Sequence, residues 1–166
     1  MRKEQQFLSI VIEAPKRFSR HKKKYEKRAL SVSLSEIADF KGIKKHSSLL
    51  KVINIRLVTD AAIKKINREY LSHNRATDVV SFSYLDDLRK MNKNDKRAFF
   101  VVGDIVVSHE MARRRCREYG NTFEKELSLY IIHGILHVFE YDDTEEKARS
   151  LMLKKQESYL NTFFPK

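Results

Sequence analysis

Four short stretches of the chain are rich in the β-branched and aromatic residues that favour β-strands. They lie at residues 6–13, 51–59, 77–84 and 99–108. In the second stretch, Ile53, Ile55 and Leu57 alternate with Asn54 and Arg56. This alternation predicts a strand with one well-buried face.

Five further segments space their apolar residues as helices do. They lie at residues 30–43, 60–70, 109–119, 122–139 and 144–163. We expect Ser33 or Ser35 to cap the first helix and Asp60 the second, because their side chains accept hydrogen bonds from free backbone amides. The polar segment at residues 85–97 is predicted to be an exposed loop.

The resulting order, β-α-β-α-β-β-α-α-α, predicts an α+β fold. We expect a single domain over residues 1–166, in which a mixed four-stranded sheet packs with about five helices. A chain of 166 residues is long enough for one self-sufficient hydrophobic core.

Positive charge is concentrated in the first half of the chain. The chain has 34 Lys+Arg against 22 Asp+Glu, a net charge of +12, and residues 14–28 alone contribute +7 through eight basic residues and one acidic residue. Such a balance indicates a polyanionic partner, either nucleic acid or an anionic membrane surface. Phe18 and Tyr25 lie among these cations, a pattern suited to phosphate contacts and base stacking. The alternative is a solvated helix face or a mobile loop.

Nothing in the sequence predicts a membrane span or a disulfide. The apolar patch at Phe7–Ile12 is too short for a signal peptide, and the stretch Leu127–Phe139 is well short of the roughly 20 residues that a span needs. Cys116 is the only cysteine, so it has no disulfide partner within the chain. We expect a soluble, cytoplasmic protein that does not enter membranes.

A pair of histidines carries the clearest chemical signal. His133 and His137 are four residues apart in a predicted helix, so their side chains lie on one face. Two imidazoles so placed form half of a zinc site, and Asp143, six residues later, is spaced to fold back as a third ligand. The alternative is a pair of packed or half-exposed histidines without a metal.

The residue after the first histidine is Gly134. Metalloproteases with an H-E-x-x-H motif carry their general base, a glutamate, at that position. Glycine also disfavours a helix interior by about 1 kcal/mol relative to alanine, so we expect another segment or a substrate to approach closely there.

The segment from His133 to Asp143 reads HGILHVFEYDD and resembles the H-G-x-L-H-L-x-G-Y-D-H motif of the YbeY family of metal-dependent single-strand endoribonucleases. Three upstream segments are similar to family motifs in the same order: INREY at 66–70, TDVVSF at 77–82 and GDI at 103–105. Met152 and Glu157 resemble a further downstream pattern. The resemblance covers residues from about 51 to 160.

This resemblance implies a zinc-dependent hydrolase that cleaves phosphodiester bonds of RNA in 16S rRNA maturation and ribosome quality control. The implied partners are rRNA and the small ribosomal subunit. The implied cofactor is one zinc ion held by His133, His137 and Asp143. No general base is identified, and the oligomeric state is left open.

Three positions depart from the family motifs. Asp143 replaces a histidine, Glu140 replaces a turn glycine that would need a positive φ, and Leu71 replaces an arginine. The candidate residues for RNA binding are Arg68, Arg75 and Arg113. Two alternative functions stay open at this point: a non-catalytic RNA- or ribosome-binding factor that retains the fold, and another zinc metallohydrolase.

Overall fold

The computed structural model describes residues 8–40, 49–92, 95 and 97–165. Its strands are β1 (Leu8–Glu13), β2 (Leu50–Val58), β3 (Val79–Ser83) and β4 (Phe99–Ser108). Its helices are α1 (Ser19–Asp39), α2 (Asp60–Leu71), α3 (Leu85–Lys90), α4 (His109–Glu118), α5 (Phe123–Val138) and α6 (Glu146–Phe163). A short 3₁₀ turn at Lys16–Phe18 precedes α1.

The strands form one mixed sheet in the order β1-β2-β4-β3. β1, β2 and β4 are parallel, and β3 pairs antiparallel with β4 at the edge. This confirms the predicted α+β fold with a four-stranded mixed sheet. The alternating side chains of β2 behave as expected, since Ile53, Ile55 and Leu57 are buried while Arg56 is exposed.

The two faces of the sheet are covered unequally. The main hydrophobic core lies on the face covered by α1 and α5, and α5 contributes Leu127, Ile135 and Leu136 with no exposed surface. On the other face, Ile63 of α2 packs with Val80 and Val106 in a small cluster. α5 is apolar on most of its circumference because the sheet and its neighbouring helices enclose it.

The predicted loop at residues 85–97 is wrong in its first half. α3 occupies Leu85–Lys90, and Leu85 and Leu88 are almost fully buried. Two leucines three residues apart were enough to anchor one and a half helical turns against the core, although the surrounding sequence is polar. Residues 93, 94 and 96 lie outside the described residues.

The first predicted helix begins eleven residues earlier than expected. α1 starts at Ser19, so Ser33 and Ser35 lie inside the helix and cap nothing. The buried side chains of Tyr25, Ala29 and Val32 follow helical spacing, and they extend the apolar face back into the basic run. The predicted residues 41–43 lie outside the described residues.

The predicted cap of the second helix is off by one residue. The side chain of Thr59 accepts a hydrogen bond from the Ala62 amide at 3.3 Å, and Asp60 is the first helical residue.

Of the described residues, none belongs to a helix long and apolar enough to cross a bilayer. Cys116 lies on the buried face of α4.

Two glycines let α5 lie unusually close to the sheet. A Cβ added at Gly134 would lie 2.5 Å from Cγ2 of Ile105 and 3.0 Å from Cγ2 of Val79. A Cβ added at Gly103 of β4 would lie 2.5 Å from Cγ1 of Val138. The expected close approach at Gly134 is therefore confirmed, and the approaching segments are β3 and β4.

We predict that Gly134→Ala lowers the free energy of unfolding by about 1–2 kcal/mol. The added methyl group overpacks the contact with Ile105, and the cost of this overpacking exceeds the stability that alanine gains over glycine from its higher helix propensity. Urea denaturation measures this change. In a Gly134→Ala, Ile105→Ala protein the cost of alanine at position 134 should largely disappear. A single variant more stable than wild type would contradict the close contact.

Candidate metal centre

Three potential ligand atoms lie close together beside the C-terminal half of α5. The Nε2 atoms of His133 and His137 are 3.1 Å apart. Oδ2 of Asp143 lies 3.8 Å from the first and 3.9 Å from the second. The structure thus brings together all three residues that the sequence predicted as metal ligands.

Hydrogen bonds on the far side of each ring fix the orientation of the histidines. Nδ1 of His137 donates to the backbone carbonyl of Tyr141 at 2.9 Å, and Nδ1 of His133 lies 3.0 Å from Oε1 of Gln156 on α6. A carbonyl oxygen can only accept, so the proton of each neutral ring sits on Nδ1. Both Nε2 atoms therefore present bare lone pairs to the same point.

Two lone pairs that face each other at 3.1 Å repel, and a shared cation removes this repulsion. Tetrahedral zinc with Zn–N bonds of about 2.0–2.1 Å separates two ligand nitrogens by about 3.3 Å, which is close to the distance observed. The donor set of two imidazoles and one carboxylate also suits zinc. The residues present therefore fit this metal.

The electrostatics favour ligands that are ready to bind. Burial, assisted by the neighbouring His133, lowers the pKa of His137, so its ring is neutral at physiological pH. The side chain of Asp143 is 44% exposed, which leaves one side of the centre open to solvent. Asp142 points elsewhere and accepts two hydrogen bonds from Thr144, which shape the returning loop.

The turn that returns the chain to the histidines depends on Glu140. Its φ is +67°, so the expectation that this position needs a positive φ is confirmed. A non-glycine residue there costs of the order of 1 kcal/mol. Arg89 of α3 offsets this cost by binding both carboxylate oxygens of Glu140, at 2.7 and 2.5 Å.

The basic segment before and within α1 forms a cationic helix face. Phe18 and Tyr25 are 4% and 3% exposed, so the predicted base stacking by these rings is wrong: both rings belong to the core. Lys24 and Arg28 pair with Glu124 of α5. Arg17 contacts His109 of α4. Four other exposed cations recur every three or four residues, and we call them the α1 stripe: Lys16, Arg20, Lys23 and Lys27.

The three arginines predicted to bind RNA are exposed and come from two parts of the fold. Arg68 is on α2, which covers the other face of the sheet, and Arg75 follows that helix. Arg113 of α4 stacks its guanidinium 4.8 Å from the ring of Phe123, at the start of α5. Phe123 is ten residues before His133, or about 15 Å along the helix axis.

A separate cavity of about 770 Å³ lies on the α2 face of the sheet, away from the three ligands. At its floor, Asn54 and Tyr84 each donate a hydrogen bond to Asp104 at 2.8 Å. Tyr70 and Phe82 form an edge-to-face pair in its wall. None of the three candidate metal ligands lines this cavity. We therefore assign the chemistry to the α5 centre rather than to this cavity.

Sequence reasoning missed the residues that orient the ligands. Tyr141 acts through its backbone carbonyl, which any residue would supply, and Gln156 acts across the interface between α5 and α6. Neither role has a signature in the sequence. A Gln one helical turn after a buried Met152 could suggest an α6 face turned towards α5, but nothing more specific.

Comparisons with known proteins find relatives over most of the chain. A family model described as endoribonuclease YbeY matches residues 12–164. The chain is 38% identical to an endoribonuclease YbeY of Heliobacterium modesticaldum over 111 residues, which cover 65% of this chain and 67% of that protein. It is 30% identical to one of Fusobacterium nucleatum over 139 residues, which cover 84% and 82% of the two chains.

A solved structure is also similar. The solution structure of TM1509 from Thermotoga maritima superposes with a TM-score of 0.57 at 28% sequence identity. The match covers 92% of this chain and 87% of that protein. The similarity therefore extends over nearly the whole fold as well as over the motif segments.

We predict that the protein binds one zinc ion and that Asp143→Asn raises the zinc dissociation constant at least about tenfold, because the change removes an anionic ligand. Competition with a chromophoric chelator measures this constant. Asp142→Asn is the matched control and should stay within about twofold of wild type, since an amide oxygen still accepts from Thr144. Equal affinities for Asp143→Asn and wild type would exclude Asp143 as a ligand.

Proposed function

The chain belongs to the endoribonuclease YbeY family, and on this premise we propose that it is a zinc-dependent enzyme that hydrolyses phosphodiester bonds in single-stranded RNA. The observation that carries the proposal is the pair of Nε2 atoms 3.1 Å apart, with a carboxylate within 4 Å of both. Such a ligand set leaves a fourth position for a substrate oxygen or water.

The chain's own residues divide the work at this centre. A bound zinc ion supplies Lewis-acid chemistry at a phosphoryl oxygen and acidifies water. His133 and His137 provide neutral ligands, and Asp143 lowers the local charge from +2 to +1. Gln156 and Tyr141 hold the two imidazole rings through their Nδ1 atoms. The ligands therefore keep their geometry while the substrate reacts.

The proposed substrate is ribosomal RNA, cut during 16S rRNA maturation and ribosome quality control on the small subunit in the cytoplasm. The family resemblance supports this role, and the net charge of +12 supports an RNA partner. We assign backbone contacts to the α1 stripe. Arg68, Arg75 and Arg113 are proposed as further phosphate contacts, because each is exposed.

A second candidate function is RNA binding without cleavage. Leu71, 45% exposed at the end of α2, occupies the position of a family arginine, and Asp143 replaces a family histidine. The leucine removes a positive charge and the aspartate adds a negative one, and both changes reduce the stabilisation of a phosphoryl transition state. They leave the fold and the cationic surface intact.

We predict that His137→Ala lowers the rate of single-stranded RNA cleavage at least about 100-fold, because it removes a metal ligand. A fluorescence-quenched RNA oligonucleotide and zinc-loaded protein provide the assay. His21→Ala, which changes an exposed histidine on α1, should keep the rate within about threefold. A zinc-loaded wild-type protein that binds the RNA without cutting it would favour the non-catalytic function.

We predict that Lys23→Gln, Lys27→Gln weakens RNA binding and lowers the slope of log K against log salt by about 1.4, since each lost phosphate contact on a single strand contributes about 0.7. Fluorescence anisotropy at several salt concentrations measures the slope. Lys64→Gln, Lys65→Gln removes the same charge from the exposed side of α2 and should change it less. Equal changes in both variants would mean that net charge, and not the α1 stripe, determines binding.

A further inference from the structure

A buried carboxylate lies behind the metal centre. Glu36 of α1 is 3% exposed, and Nζ of Lys155 on α6 binds its two oxygens at 2.9 and 3.0 Å. The hydroxyl of Tyr159, also on α6, donates to the same carboxylate. The ring of Tyr141 lies against the same ammonium group, with Nζ of Lys155 4.9 Å from the ring centroid. A carboxylate at this depth is tolerated only because these groups satisfy it.

The partners of Glu36 are the same segments that hold the metal-binding histidines. Tyr141 packs its ring against Lys155, the partner of Glu36, while its backbone carbonyl accepts the Nδ1 proton of His137 at 2.9 Å. Lys155 is adjacent in the chain to Gln156, whose side chain binds Nδ1 of His133 at 3.0 Å. Through Lys155, the Glu36 carboxylate therefore positions the two segments that carry the hydrogen-bond acceptors of His133 and His137.

The protonation states keep this cluster intact at neutral pH. Burial, together with hydrogen bonding to Glu36, raises the pKa of Tyr159 to about 12, so the hydroxyl remains a donor. Burial lowers the pKa of Lys155, but the hydrogen bonds that it donates to the Glu36 carboxylate outweigh burial and raise its pKa, so Lys155 remains charged. The cluster thus keeps its contacts at neutral pH.

We propose that Glu36 is a positioning residue of the metal centre: by holding Tyr141 and α6, it fixes the two imidazole rings with both Nε2 atoms aimed at one point. The proposal rests on the metal site of the proposed function and adds a residue that lies almost a hundred positions earlier in the chain. Outer hydrogen-bond partners of metal ligands typically change metal affinity 10- to 100-fold when they are lost.

The test compares two buried or half-buried carboxylates that join α1 to the rest of the core. Glu36→Gln removes the charge that holds Lys155, while Glu124→Gln breaks the pairs with Lys24 and Arg28 near the start of α5. We expect Glu36→Gln to raise the zinc dissociation constant about tenfold or more. Glu124→Gln should leave it within about twofold, although both variants lose thermal stability.

A second readout does not require metal. Long-range ¹H–¹⁵N spectra of the zinc-free protein report which ring nitrogen carries the proton in each histidine. In the wild-type protein we expect the Nδ1–H form for His133 and His137, and in Glu36→Gln a mixture of both forms. A purely structural role would lower the melting temperature without changing these spectra or the zinc affinity.

A conservative variant keeps the test decisive if Glu36→Gln does not fold. Tyr141→Leu leaves the pair of Glu36 and Lys155 in place and removes only the ring that packs on Lys155, and we expect it to weaken zinc binding about three- to tenfold. Wild-type affinity and wild-type tautomers in folded Glu36→Gln, or in Tyr141→Leu, would overturn the proposal. A wild-type protein that binds no zinc would instead overturn the metal site itself, and the tautomer spectra would still test Glu36.

Discussion

The contact between α5 and the sheet determines how the metal centre is built. Ile105 of β4 enters the space left by Gly134, and Val138 of α5 enters the space left by Gly103. This reciprocal packing fixes both the depth of α5 and its rotation about its own axis, because a change in either would force the side chains into backbone. The side chains of His133 and His137 consequently point away from the sheet, towards Asp143 and α6.

The polar groups around the histidines work within this fixed geometry. The chain leaves α5, turns at Glu140 with a positive φ, and comes back with Tyr141 and Asp143 at the centre. Arg89 of α3 stabilises the turn, and Glu36 of α1 holds α6 through Lys155. Elements distant in the chain thus share the task of holding two imidazole rings, which is how a half-exposed site keeps a defined shape.

The fold was predictable from local patterns to a large extent. Alternation in β2 and the apolar stripes of α2, α4, α5 and α6 identified most elements, and spacing alone selected His133, His137 and Asp143. The early start of α1 was not predicted, because its eight cations between Lys16 and Arg28 mask an apolar face that only tertiary packing reveals. α3 was missed for the same reason, since two buried leucines are a weak signal in a polar segment.

The central claim is that His133, His137 and Asp143 hold one metal ion. X-ray absorption at the zinc edge of the metal-loaded protein tests it most directly, because the first shell reports ligand types and distances. The account predicts two imidazole nitrogens and oxygen ligands, all at about 2.0–2.2 Å. A first shell without imidazole, with three or more imidazoles, or with a sulfur ligand from Cys116 would contradict it.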